Sequence, residues 1–354
     1  MALRSVRLHQ FRCFDSADLE LDRRLTLIQG ANGSGKTSLL EAIFLLGRGR
    51  SFRTPRLDLA VRHGEPGFAV AGLVEQGTVT VPMQVEHAAG ETVARIHGKR
   101  VASLSDLSVS FPVQIIEPGV HKLIEEGPVR RRRFLDWGTF HVEPGYLSEW
   151  QRFHRALRQR NAALRSRVSL EDLAPWNEAL ASSGERVHDA RTRYLASAQS
   201  YLAATCAGLL GRDVSFGYAR GWPEQSLRDA LQRAQTFDYQ RRVTSVGPHR
   251  ADLNIEVDGS PAKDVVSRGQ QKLLAAGLLL GQLEFHIDQR GLQPTVLLDD
   301  PAAELDEGTV RRFTDRIFHL GTQIVMTSLS AQLPTAPEPG RVFHVEQGRV
   351  RRML

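Results

Sequence analysis

"GANGSGKT", Gly30 to Thr37, fits the pattern GxxxxGK[ST] of a phosphate-binding loop. The stretch follows a predicted strand, "LTLIQG" at 25–30, and opens a predicted helix, "SLLEAIFLLGRG" at 38–49. Strand, glycine-rich loop and helix together cradle an anion, because backbone N–H groups and the positive end of the helix dipole both face it. The sequence therefore predicts an α/β fold in which this loop binds a nucleotide.

The residues predicted to hold the nucleotide belong to the loop and to the start of its helix. They are Gly30, Ala31, Asn32, Gly33, Ser34, Gly35, Lys36, Thr37 and Ser38. Lys36 is predicted to be catalytic, because its charge reaches the β- and γ-phosphates, and the Thr37 hydroxyl is a predicted ligand of Mg²⁺. A chance glycine turn is the alternative, which the flanking strand and helix disfavour. ATP and Mg²⁺ are the predicted cofactors.

A second motif, "TVLLDD" at 295–300, is an apolar strand that ends in two carboxylates. P-loop ATPases hold Mg²⁺ through an Asp at such a strand end, so Asp299 is the predicted second metal ligand. Asp300 is the predicted catalytic residue that orients or deprotonates the attacking water. Related ATPases mostly carry Glu there, and the shorter Asp predicts slow hydrolysis. Two acids in an ordinary turn are the alternative for this motif alone.

A third motif, "SRGQQK" at 267–272, precedes a predicted helix of about 18 to 20 residues that leads to "TVLLDD". This interval matches the signature motif of ABC ATPases, whose Ser and Gly bind the γ-phosphate held by a second subunit. Ser267, Gly269 and Gln270 are thus predicted to bind ATP in trans. "AELD" at 303–306 is then predicted to form the dimer-contacting loop, with Asp306 at the contact. The motif alone also fits a solvated helix start.

The three motifs together predict an ABC-type P-loop ATPase head that forms an ATP-dependent homodimer. Residues 68–97 alternate as antiparallel β hairpins, whereas 121–210 follow helical periods and predict an inserted helical lobe. The ATPase domain is then expected at 1–120 and 211–354. With 354 residues, two cysteines, and neither a signal peptide nor a membrane span in the pattern, we expect a cytoplasmic chain without a membrane partner.

Basic charge is concentrated in the predicted helical lobe. Residues 121–170 hold eleven basic and five acidic side chains, and this excess of six equals the formal charge of the whole chain. Arg152, Arg155, Arg158 and Arg160 recur near helical spacing, which predicts a row of guanidinium groups against DNA phosphates. A solvated helix face, or arginines paired with acids inside the lobe, is the alternative.

With these motifs the chain resembles the RecF family of bacterial recombination and repair ATPases, which are related to the structural-maintenance-of-chromosomes proteins. The stretches that carry the resemblance are "HQFRCF", "GANGSGKTSLLEAIFLLGRGRSFRT", "GPVRRRRFLDWGTFHVEPGYLSEWQRFHRALRQRNAALR", "GPHRADL", "SRGQQK" and "LLDDPAAELD". The resemblance implies an ATP-dependent DNA-binding protein that dimerises on ATP. Its ATP hydrolysis is expected to be slow and to be stimulated by DNA. The resemblance also implies action with RecO and RecR at single-strand gaps in replication, recombinational repair and the SOS response.

Three positions depart from the expected patterns. Ala251 replaces a common acid in "GPHRADL", and Thr327 and Ser328 stand where ABC ATPases usually place a γ-phosphate-sensing His. Gln114 is the candidate for the glutamine loop.

Two other functions are the nucleotide-binding subunit of a membrane transporter and a module that binds ATP and DNA without hydrolysis. The basic helical segment and the block around "FLDWGTFHVEPGY" disfavour the transporter, and DNA-stimulated hydrolysis decides against it. Single-turnover hydrolysis with and without DNA separates the non-hydrolysing module from the ATPase.

Overall fold

The computed structural model describes residues 1–169, 171–223, 226–301, 307–329 and 338–354. The strands are β1 (Ala2–Phe11), β2 (Phe14–Glu20), β3 (Leu25–Gln29), β4 (Gly67–Gln76), β5 (Val79–Ala88), β6 (Glu91–Ile96), β7 (Lys99–Arg100), β8 (Val113–Ile116), β9 (Val214–Ala219), β10 (Asp252–Val257), β11 (Ser260–Pro261), β12 (Thr295–Leu298), β13 (Ile324–Ser328), β14 (Arg341–Glu346) and β15 (Arg349–Arg352). The helices are α1 (Lys36–Arg48), α2 (Ser105–Ser110), α3 (Lys122–Glu125), α4 (Pro128–Val142), α5 (Tyr146–Arg165), α6 (Ala174–Leu210), α7 (Leu227–Arg241), α8 (Ala262–Val265), α9 (Arg268–Arg290) and α10 (Glu307–His319). The predicted α/β texture, the hairpins of residues 68–97 and the helices of 121–210 are confirmed.

The chain divides into two compact units. Unit 1 comprises residues 1–120 and 287–354, and unit 2 comprises residues 121–286. The sequence predicts an inserted lobe at 121–210, and in this division residues 211–286 also belong to unit 2. The reason is that α6 packs against both α7 and β9, so the segment after α6 shares the core of the helices before it.

Unit 1 contains two six-stranded sheets. One has the order β2-β1-β4-β5-β6-β7 and is antiparallel throughout. The other has the order β15-β14-β3-β13-β12-β8; its strands from β14 to β8 are parallel, and β15 adds an antiparallel edge. In the parallel sheet β13 lies between β12, the strand that precedes it in the chain, and β3, which is distant in sequence.

Helix α1 lies between these two sheets. It contacts β1, β4 and β5 of the antiparallel sheet as well as β8 and β13 of the parallel sheet. Eleven of its thirteen residues are buried, which is why its sequence is apolar on all sides rather than along one stripe. The first turn of this helix, which follows the glycine-rich loop, is therefore held rigidly by the main core of unit 1.

Unit 2 is mainly helical and has a core of its own. Apolar side chains of α5, α6 and α7 meet there, among them Phe153, Val187 and Leu231. A three-stranded antiparallel sheet of order β11-β10-β9 completes the unit. Helix α9 begins at Arg268 and runs for 23 residues, slightly longer than the predicted helix after "SRGQQK".

Candidate functional site

The parallel sheet explains why the first two motifs meet. The glycine-rich loop leaves the carboxyl end of β3, and Asp299 and Asp300 leave the carboxyl end of β12. Ligands of open α/β sheets bind at this edge, because the loops that follow parallel strands converge there. Two segments separated by more than 250 residues are brought together in this way.

The loop itself depends on glycine at two positions. Gly30 has φ 154°, and a Cβ added to it would lie 2.3 Å from the carbonyl oxygen of Val345. Gly35 has φ 117°, and its Cβ would lie 2.8 Å from both the Cys13 sulfur and the Phe14 ring. Both positions combine a left-handed backbone with a close approach, so no other residue fits them without displacement.

The Lys36 side chain is buried under the loop. Its Nζ donates hydrogen bonds to the carbonyl oxygens of Gly30, at 2.7 Å, and Ala31, at 2.9 Å. The first turn of α1 carries no acidic residue and no side-chain cap, so its outward N–H groups remain available to an anion. A positive charge and a helix N-terminus thus converge on one point.

Thr37 and Asp299 are brought together as predicted for a metal site. The Thr37 hydroxyl lies 3.0 Å from both carboxylate oxygens of Asp299, and Thr327 donates a hydrogen bond of 2.8 Å to the same carboxylate. Thr327, predicted only as a departure at the sensor position, therefore holds the acidic pair. Hydroxyl and carboxylate oxygens are hard ligands that suit Mg²⁺, which keeps water or phosphate oxygens in its other positions.

Asp300 occupies a constrained position beside this pair. Its backbone has φ 46°, a left-handed conformation that Asp tolerates better than most residues, and its N–H donates to the Thr327 hydroxyl at 2.9 Å. Burial raises the pKa of Asp300 above its ordinary value, the Lys36 charge opposes the shift, and the Asp299 charge adds to it. A carboxylate with a raised pKa is a better proton acceptor than an exposed one.

One cavity of about 670 Å³ is lined by Gly35, Lys36, Thr37, Asp299 and Asp300. It is also lined by two arginines for which the motifs predict no role. Arg12 and Arg53 line it, and both pair with the fully buried Glu41 of α1, at 2.6 Å and 3.2 Å respectively. Their only signal in the sequence was their place in the quoted stretches "HQFRCF" and "RSFRT". Gln114 is not among the lining residues; its side-chain amide donates to the Ile115 carbonyl oxygen.

Replacing Glu41 with Gln is expected to weaken ATP binding several-fold without unfolding the chain. The neutral amide cannot balance Arg12 and Arg53, and it keeps only part of the hydrogen bonding, so both guanidinium groups lose their fixed positions beside the cavity. Titration calorimetry with ATP is the measurement. Glu91→Gln is the control, because that carboxylate forms an exposed pair with Arg100 and should leave affinity unchanged. Equal affinities for all three proteins would refute the positioning role of Glu41.

The predicted trans residues lie in unit 2, at the start of α9. Ser267 is exposed, and it shares two reciprocal hydrogen bonds with Gln270: its N–H donates to the Gln270 amide oxygen at 2.9 Å, and its hydroxyl accepts from the Gln270 N–H at 3.4 Å. This capping box fixes the first turn. A Cβ on Gly269 would meet no atom within 4 Å, so open space surrounds it. The predicted dimer contact Asp306 lies outside the described residues.

The predicted DNA-binding arginines divide into two groups. Arg152, Arg155 and Arg158 are exposed on α5, and Arg152 forms an ion pair with Glu149. Arg160 does not belong with them, and the prediction of a DNA contact there is corrected. Its side chain is 0% exposed and pairs with the equally buried Asp238 at 2.7 Å, because the helix turns this position into the core of unit 2.

Most side chains of the arginine run 130–133 and of the nearby aromatic residues form contacts inside unit 2. Arg131 pairs with Asp252 at 2.7 Å, and Arg132 donates to the carbonyl oxygen of Ala251. Arg130 pairs with Glu126, whereas Arg133 is exposed. The buried aromatics are Trp137, Tyr146 and Phe153, and Phe140 and Trp150 are partly buried beside the core of the unit. Pairing of arginines with acids inside the unit, which is the alternative to contact with DNA, therefore describes much of this segment.

Comparison with known proteins places this geometry in a family. Residues 2–351 match the family described as "RecF/RecN/SMC N terminal domain". The chain is 38% identical to the "DNA replication and repair protein RecF" of Sodalis glossinidius, over 99% of this chain and 98% of that protein. The chain belongs to the RecF family. Members of this family are ATPases of the SMC/ABC class, in agreement with the phosphate loop and acidic strand end.

Solved structures support the same fold for the RecF-family chain. It is similar to the structure of the recombination mediator protein RecF with ATP, with a TM-score of 0.91, 27% identity and coverage of 100% of this chain and 98% of that one. An Smc head bound to a domain of ScpA is similar in fold alone, with a TM-score of 0.61, 15% identity and coverage of 100% and 97%. The SMC/ABC ATPase head fold predicted from the motifs is confirmed. Within the described residues, no helix is long and apolar enough to cross a membrane.

Proposed function

We propose that this chain is an ATP-dependent DNA-binding protein of replication and recombinational repair, in which ATP joins two copies and slow hydrolysis separates them. The observation that supports it best is the convergence of Lys36, Thr37, Asp299 and Asp300 on one cavity. Its RecF relatives are named for DNA replication and repair, and a RecF structure for the RecFOR pathway. We extend this to cytoplasmic action with RecO and RecR at single-strand gaps and in the SOS response.

Each residue of the cavity has a part in this proposal. The loop N–H groups and Lys36 hold the phosphates, and the oxygens of Thr37 and Asp299 fit Mg²⁺, which would neutralise charge on the β- and γ-phosphates when bound. Asp300 accepts a hydrogen bond from the attacking water and draws its proton. Because Asp is one methylene shorter than Glu, it reaches the water less well, and hydrolysis is expected to be slow.

The second half of the ATP site comes from the other copy. Ser267 is exposed at a helix start, and the spacing from this motif to Asp299 is that of an ABC signature. In the dimer its hydroxyl, with the backbone of Gly269 and the amide of Gln270, binds the γ-phosphate seated on the partner's loop. Hydrolysis removes this bridge, so ATP binding and hydrolysis would control the assembly and separation of the two copies.

Replacing Ser267 with Arg is expected to leave ATP binding unchanged and to abolish ATP-dependent dimerisation. The long cation fills the space where the γ-phosphate of the other copy would approach, whereas the phosphate loop of the same chain lies in unit 1 and keeps its residues. Calorimetry with ATP and sedimentation velocity measure the two properties separately. Ser200→Arg, on the exposed side of α6, is the matched control and should dimerise normally. A Ser267→Arg protein that dimerises like wild type would disprove the trans role.

DNA is the polyanion that the exposed arginines of α5 favour. Their contacts would be with phosphates, so affinity should fall steeply with salt and depend little on sequence. The experiment that tests the proposed function is ATP hydrolysis, in single and multiple turnover, with and without DNA. Stimulation by DNA supports the switch. Binding of ATP and DNA with no turnover in either format would favour the non-hydrolysing module instead.

A further inference from the structure

The end of helix α7 presents an aromatic ring to solvent. Phe237 is 50% exposed, whereas the neighbouring apolar residues of this helix, Leu227 and Leu231, are fully buried. The Arg241 guanidinium lies over the Phe237 ring, with its carbon 5.6 Å from the ring centroid. Leaving half of a phenylalanine in water forgoes part of the burial energy that such a ring usually contributes. Exposure of a single apolar side chain is common, so the case for a binding role depends on what surrounds the ring.

The exposure of Phe237 does not come from a loose helix end. Asp238, the next residue, is fully buried and ion-paired with Arg160 at 2.7 Å. Its other carboxylate oxygen accepts hydrogen bonds from the N–H and the hydroxyl of Ser245, at 2.9 Å and 2.5 Å. The backbone is thus anchored one residue from the ring, so the fold itself holds Phe237 at the surface.

Positive charge surrounds this ring. Arg241 and Arg242 follow it at the end of α7, and the Tyr239 hydroxyl donates to the carbonyl oxygen of Arg167, which brings the residues after α5 alongside. Segments 165–169 and 236–243 contain four exposed arginines, at 165, 167, 241 and 242. The acid within these segments is Asp238, already neutralised in the interior, and the exposed Glu171 and Asp172 follow the first segment. The four arginines outnumber these two exposed acids. The surface around the ring accordingly attracts a polyanion.

We propose that Phe237, with Arg241, Arg242 and Arg167, forms a platform on which an unpaired base of single-stranded DNA stacks. Aromatic rings bordered by arginines bind single strands in this way: the ring takes the face of a base and the guanidinium groups take the phosphates. A duplex cannot use the ring, since its bases are already stacked on each other. The platform rests on the proposed DNA-binding function and adds to it a specific contact, at the end of α7, that only an unpaired base can make.

The platform continues the exposed arginines of α5. Arg152, Arg155, Arg158 and Arg165 lie along one helix, and the first and last of them are about 20 Å apart at 1.5 Å per residue. A DNA backbone that follows this helix would reach Arg167 and then Phe237. Phosphate contacts would therefore be common to single and double strands, and the ring would add a contact that only the single strand makes.

Replacing Phe237 with Ala tests the platform. With a fluorescent oligo-dT single strand and a duplex of equal length, both in the presence of Mg²⁺ and ATP, the variant should lose about 5- to 150-fold in affinity for the single strand, the equivalent of about 1–3 kcal/mol. Duplex affinity should stay within twofold. Phe237→Tyr keeps a ring and should bind like wild type, whereas Phe237→Leu keeps apolar volume without a ring and should behave like Ala.

The controls separate this platform from the proposed function. Val129→Ala removes another exposed apolar side chain of unit 2 and should change neither affinity. If wild type binds neither DNA, the proposed function itself fails. If wild type binds both and Phe237→Ala binds the single strand normally, the platform alone is refuted. Equal losses for single strand and duplex, or full retention by Phe237→Leu, would likewise contradict base stacking.

Discussion

Replacing Lys36 with Met is expected to lower affinity for ATP by about 10- to 150-fold and to reduce hydrolysis below detection. A hydrogen bond to a charged group contributes about 1.5–3 kcal/mol, which corresponds to that range. The Lys36 ammonium now bonds to the Gly30 and Ala31 carbonyl oxygens, so it is already positioned at the loop where the phosphates arrive. Calorimetry with ATP and release of phosphate measure the two losses.

The matched control for Lys36 is Lys99→Met. Lys99 is exposed on β7 of the same unit, so its replacement removes an equal charge away from the cavity. It should leave affinity and hydrolysis unchanged. If Lys36→Met bound and hydrolysed ATP at the rate of wild type, the cavity described for unit 1 would not be the nucleotide site.

Replacing Arg160 with Met is expected to lower the free energy of unfolding by about 3–5 kcal/mol. Removing one member of a buried ion pair leaves the other charge without compensation in the interior. Here Asp238 would remain buried, and the hydrogen bonds from Arg160 to Asn177 and Thr244 would also be lost. Urea unfolding followed by tryptophan fluorescence reports this directly, because all four tryptophans of the chain lie within unit 2.

Arg158→Met is the matched control two residues away. Arg158 is exposed on α5, so its removal should change stability by less than about 0.5 kcal/mol. It should instead weaken DNA binding and reduce the slope of log affinity against log salt by about one. The opposite result is an Arg160→Met protein with unchanged free energy of unfolding and reduced affinity for DNA. That result would indicate that Arg160 contacts DNA and would contradict its structural role.

The candidate nucleotide site was predictable because its signals are local. Gly30, Gly35 and Lys36 act through the backbone of one short loop, and the requirement for glycine follows from conformations that the motif itself imposes. The link from Thr37 to Asp299 was predictable for a different reason. Parallel strands release their loops at one edge, so two motifs at strand ends are expected to meet whatever their separation in sequence.

Other features depend on packing that the sequence does not display. Helical spacing predicts Arg160 in a row with Arg158. Only the position of α7 shows that Arg160 is buried and forms an ion pair with Asp238. Arg12 and Arg53 acquire a role through Glu41, a buried acid in a helix that otherwise reads as apolar. Residues 211–286 group with the helices before them, because β9 and α7, which follow α6, pack on it.

The central claim is that ATP joins two copies of this chain through Lys36 of one and Ser267 of the other. Sedimentation velocity of the wild-type protein with Mg²⁺ and ATP, with Mg²⁺ and ADP, and without nucleotide tests it most directly. We expect a dimer with ATP and a monomer in the other two conditions. A monomer in all three, or a dimer that forms equally well without nucleotide, would contradict it.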